Sequence, residues 1–208
     1  MPSTPSEPQT LNRPQRTKHL PWAVLLGGPA VLLAVTFALA YRFSMGSPNQ
    51  NVTMGDRAFL VTVPELLELT KQPDNGYDPK SEVLRKTVLP RGGRELEYRY
   101  VAPKPHWLVS SRVTVELDAA QAMATYKETA GTGLKLHSVT LDPLPYAWGD
   151  ESQIGTLQRN GVTVGHYFLG RKGRHVVLYR LENLVLAPPV TFESVIAPHL
   201  ALTEQFTP

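Results

Sequence analysis

The chain has 208 residues, 42% of them hydrophobic, and no cysteine, which excludes disulfides, thiolate metal sites and thiol nucleophiles. Its formal charge of +3 is unevenly placed: Arg13, Arg16 and Lys18 against Glu7 precede Tyr41, and 18 basic against 17 acidic residues follow it. The larger part of the chain is therefore nearly neutral, without the basic stripe expected of a phosphate-binding surface, and nucleic acid is not an expected partner.

Residues 1–20 are rich in Pro, Ser, Thr and Gln and poor in apolar side chains, the composition of a disordered tail. The run from Pro21 to Tyr41, PWAVLLGGPAVLLAVTFALAY, carries no charge. A helix of roughly 20 such residues crosses a bilayer core of about 30 Å, and Trp22 and Tyr41 stand where interfacial anchors belong. The lipid bilayer is thus the first expected partner. The basic residues before the run, against Arg42 alone just after it, orient the tail to the cytoplasm and the rest of the chain outside, in the periplasm if the cell is Gram-negative. Ala38-Leu39-Ala40 also has the small-x-small form cut by signal peptidase, so a secreted, soluble product is the competing expectation. Gly27-Gly28-Pro29 reads as a mild kink.

Residues 42–56 have linker composition, and residues 57–208 are expected to form one folded unit. Pro64 opens PELLELT, a short helix with Leu66, Leu67 and Leu69 toward the core. Residues 71–93 are turn-rich and read as a long irregular excursion. Period-2 alternation then marks a strand at RELEYRYV, with Leu96, Tyr98 and Tyr100 inward, and another at Trp107 to Leu117. Asp118 caps a helix carrying Ala122, Met123 and Tyr126, which ends near Gly131. Leu134, Leu136, Val139 and Leu141 suggest a further strand.

Asn160-Gly161 is a strong hairpin signal joining GTLQR to VTVGHYF. Gly170 to Gly173 turns the chain again, with Arg171 and Lys172 at the loop, and RHVVLYRLE completes a meander. Thr191 caps a final helix containing Pro198. The expectation is an α+β domain with an antiparallel sheet of about five to six strands and two to three packed helices.

The order of strand, helix after Asp118, strand, Gly149-Asp150 turn, and hairpin ending in Gly173, Val176 and Leu178 resembles the PsbP and LpqN type of α/β/α sandwich over residues 107–204. That resemblance implies a small exported or membrane-attached accessory domain, commonly non-catalytic.

Chemistry is sought first at His166 and His175, the candidates for a general base or metal pair. A loop at Arg171-Lys172 places them as diagonal neighbours about 7 Å apart on one sheet face, although the surrounding Val162, Val164, Phe168, Val177 and Tyr179 make rings packed at the core margin the default reading. Asp150-Glu151 reads as a turn or cap rather than an acid/base pair, and the serines lack a nucleophile elbow. Trp107, Trp148 and Tyr146 either line a groove or close the core. Arg171, Lys172 and Arg174 form a basic hairpin tip suited to lipid headgroups or an acidic partner. No cofactor is expected. The reading is a membrane-anchored extracytoplasmic binding or assembly module, an accessory subunit with a membrane or envelope protein as partner; the alternatives are a hydrolase using His166 or His175 and a soluble binding protein cut after Ala40.

Overall fold

The computed structural model describes residues 52–70, 77–102, 107–133, 139–184, 186 and 188–206. The apolar run with Trp22 and Tyr41, and the expected strand residues Leu134 and Leu136, lie outside them. Among the described residues no helix is long and apolar enough to cross a membrane.

Seven strands form one antiparallel sheet: β1 (Glu82–Val88), β2 (Arg94–Val101), β3 (Leu108–Val115), β4 (Thr140–Pro145), β5 (Glu151–Arg159), β6 (Val162–Lys172) and β7 (His175–Glu182). Their order is β1-β2-β3-β7-β6-β5-β4. Two meanders meet in the middle: β1 to β3 run inward from one edge, the chain crosses to the other edge at β4, and β4 to β7 run back to pair with β3. Helix α3 (Ala119–Glu128) makes that crossing, and its Ala122 packs on Leu157, Tyr167, Leu169, Val176 and Leu178.

The opposite face is the main core. Here α1 (Met54–Arg57), α2 (Val63–Thr70) and α4 (Phe192–Leu202) lie against the inward alternating residues of the strands. Leu60, Val63 and Leu66 meet Leu96, Tyr98, Val109 and Val113, while Phe192, Val195, Ile196 and Leu200 extend the layer from α4. Buried polar groups of the sheet fasten the N-terminal segment: the Ser111 hydroxyl donates to the Val61 carbonyl at 2.6 Å, that of Tyr179 to the Phe59 carbonyl at 3.0 Å, and Tyr98 accepts the Val63 N–H at 3.1 Å. Each would cost about 1–3 kcal/mol if buried unpaired, so these bonds select one seat for the segment.

Several expectations are corrected. The stretch taken as irregular contains β1, whose core-facing side includes Glu82 and Lys86 and so hides the alternation. Both are satisfied internally, Glu82 by the hydroxyls of Tyr77 (2.6 Å) and Tyr98 (2.8 Å), and Lys86 by Asp56 (3.1 Å). With β1 the sheet has seven strands rather than five to six. Residues 54–56, assigned to the linker, form a helical turn together with Arg57, capped reciprocally by Thr53 and Asp56.

The last hairpin turns at Gly173-Arg174, since Lys172 pairs with His175 and Gly173 has φ 55°. Gly170 serves a different end: a Cβ there would lie 2.6 Å from Phe168 Cζ and 2.7 Å from Trp148 Cε3. Finally, the β5–β6 pairing slips between Leu157 and Gln158, and Val164 packs with the α3-side cluster rather than with Phe168.

Candidate functional site

The corrected register separates the two candidate histidines. His166 pairs with Leu181 and His175 with Lys172, six residues apart along β6 and hence about 20 Å. They share the α4 face of the sheet but cannot share a ligand. His175 Nε2 lies 3.1 Å from the Phe206 carbonyl, so its ring fastens the end of the folded chain. The bulge also places Thr156 opposite His166.

His166 lines a cleft of about 360 Å³ at the β4 end of the sheet. Three further parts of the chain join His166 of β6 in building it. Leu144 comes from edge strand β4, Ile154 and Thr156 from β5, and the far wall is the segment from Leu186 through Pro188, Pro189 and Val190 into the first turn of α4. That turn is fixed by a reciprocal cap: Thr191 Oγ1 accepts the Ser194 N–H at 3.2 Å and Ser194 Oγ accepts the Thr191 N–H at 3.2 Å. It presents Phe192 beneath the His166 ring, the two stacked at 5.4 Å with 21° between planes. His166 Nε2 is buried with no hydrogen-bond partner among the described residues. Burial pushes the ring's pKa below the ordinary histidine value, with the nearby Glu193 charge acting the other way.

The polar groups of this cleft are few and mostly committed. Thr191 is spent on the helix cap, and the Thr156 hydroxyl accepts from Gln158 Nε2 at 3.4 Å. Glu193, exposed at the rim, is the single charged lining residue among the described residues. A nucleophile within hydrogen-bond reach of a base, itself oriented by a third group, is the signature of covalent catalysis. His166 makes no such contact among the described residues. Nor do those residues contain a group of three or more side chains able to hold a metal.

At the hairpin tip Arg171 is taken into the fold, while Lys172 is half-buried and Arg174 is exposed. Arg171 is buried and paired with Asp150 at 2.7 Å, Lys172 with Glu204 at 3.2 Å, and Arg174 reaches the Leu117 carbonyl at 3.5 Å. Asp150 also accepts the Gly173 N–H at 2.9 Å, holding the hairpin end against the Gly149-Asp150 turn. Trp107 packs on Tyr100, and Tyr146 and Trp148 both meet Phe168 edge-on, so these aromatics close the core.

Sequence reasoning passed over His199, although its position on a capped, apolar helix marks it as inward-facing. Nδ1 lies 2.8 Å from the Ala58 carbonyl and Nε2 2.9 Å from Glu65 Oε1. Acceptors at both nitrogens favour the doubly protonated ring and push its pKa above the ordinary histidine value.

No family model, no curated protein and no solved structure matches this chain.

Proposed function

We propose that this chain is an extracytoplasmic binding module held at the membrane by one helix over residues 21–41, acting as a non-catalytic accessory subunit of a membrane or envelope complex. The observation that carries the binding reading is the cleft at His166: apolar walls from Leu144, Ile154, Leu186 and Phe192, with its threonine hydroxyls already engaged and its histidine stacked rather than paired with a base or acid. Concave, mainly apolar sites with a few polar groups are what proteins use to hold ligands. Catalysis would demand a reactive constellation beside them.

The anchor supports the same reading from the other end of the chain. A single tether confines a domain to a thin layer and raises its effective concentration toward membrane partners without any new contact. The uncharged run from Pro21 to Tyr41 and the basic residues ahead of it are the sequence basis for that tether.

Fractionation of cells expressing the full chain, with alkaline carbonate washing and N-terminal sequencing, tests the tether. The expected result is a carbonate-resistant chain that retains residues before Pro21. A soluble product starting at Tyr41 would replace the anchored subunit by the secreted binding protein.

A further inference from the structure

The cleft also carries a statement about what enters it. We infer that it receives an apolar side chain of a partner protein segment that bears a lysine or arginine beside that side chain. This rests on the binding-module reading and specifies its ligand.

Three features set the chemistry. A volume of about 360 Å³ lies at the low end of ligand clefts and suits one or two side chains rather than an extended cofactor. Leu144 on the edge strand is 61% exposed and continuous with the apolar wall of Ile154, Leu186 and Phe192, so the apolar surface spreads outward from the cleft as at the centre of a protein interface. The sole charge among the lining residues is Glu193, on the rim.

Charge complementarity then decides the flanking group. A helix N-terminus by itself attracts anions, but here the first turn of α4 carries its own carboxylate at Glu193, and the Ser194 N–H is taken by the Thr191 cap. A ligand carboxylate would meet Glu193 as a like charge, whereas a ligand ammonium or guanidinium meets it as a counter-ion. The orphaned His166 Nε2, in a ring kept neutral by its surroundings, adds no competing positive charge. Pairing by an added strand is disfavoured next to the cleft, because Pro143 and Pro145 remove two backbone donors from β4. Side-chain insertion is the mode that remains.

The test uses the full chain in nanodiscs and three fluorescently labelled peptides, GLFKG, GLFQG and GLFEG, followed by anisotropy. The lysine peptide should bind most tightly, by roughly threefold over the glutamine peptide, as expected of one exposed ion pair, with the difference lost near 1 M salt. Glu193→Gln should erase the preference, and Glu193→Lys should move it to the glutamate peptide. Because Glu193 is exposed, each variant should still melt cooperatively and close to the parent, with Glu193→Lys slightly below it because a cation replaces the carboxylate in the first turn of α4. Equal binding of the three peptides, or a preference unmoved by Glu193→Lys, would overturn the charge rule while leaving an apolar binding cleft. Absence of saturation by every peptide, together with saturable binding of phenethylamine, would make the cleft a small-molecule site and overturn the partner-segment inference. Absence of saturation by every probe would remove the inference and the cleft's binding role together.

Discussion

His199 joins three parts of the chain: its own helix α4, the Ala58 carbonyl behind α1, and Glu65 on α2. The ring is 6% exposed and stands edge-on to Tyr179 at 6.0 Å. Burial would lower its pKa, but the hydrogen bonds to Glu65 and Ala58 and the Glu65 charge outweigh that and hold it above the ordinary histidine value. The unfolded chain titrates near the reference value of about 6.5. A raised folded-state pKa means that His199 contributes its full stabilisation below pH 6.5 and loses it as pH rises through the folded value. Urea melts across pH 5 to 9 should therefore show stability falling on the alkaline side, and the fall should flatten in His199→Gln. Glu65→Ala should cost about 1–3 kcal/mol at pH 6, since it strips an acceptor from a buried donor. His166, whose pKa is lowered by burial, contributes with the opposite sign, so the readout is the difference between parent and variant: identical pH profiles for the parent and His199→Gln would refute the raised pKa of His199.

At the scale of elements, the features legible in the sequence were those written locally. The β5–β6 hairpin follows from Asn160 and Gly161, which take φ values of 54° and 77°, and the helix starts follow from Asp118 and Thr191, whose side chains accept N–H groups three residues on. Asn160→Val should cost about 1–2 kcal/mol, the penalty of a β-branched side chain in left-handed backbone, and Thr191→Ala about 1 kcal/mol from the lost cap; both are read from urea midpoints. Thr191→Ala should in addition loosen the cleft, because the same cap seats Phe192.

Features set by distant residues were not legible. The glycine at 170 reads as a turn residue until Trp148 and Phe168 are seen to occupy the space of its missing side chain. Strand β1 looks irregular until the partners of Glu82 and Lys86, at Tyr77, Tyr98 and Asp56, are in place. The cleft could be half guessed, since His166 was singled out on its strand, but Leu144 and the Leu186–Glu193 wall reach it only through the crossover that puts β4 at the sheet edge beside β5. No sequence spacing records that meeting.

For the whole molecule, the sequence carries an apolar segment at residues 21–41, and the folded domain carries a cleft at one edge of its seven-stranded sheet. The β1 to β3 half of the sheet offers an internal control, for Arg85 is exposed and lies on the face opposite Leu84 and Lys86. Site-directed photo-crosslinking in intact membranes compares the two surfaces directly. With benzoylphenylalanine at position 144, irradiation should give a discrete higher-mass adduct with a membrane or envelope protein, and Glu193→Lys should weaken it; the same group at position 85 should give none. Equal adducts from positions 144 and 85, or no adduct from 144 in a chain shown to be membrane-bound, would contradict the claim that this cleft is where the module binds its partner.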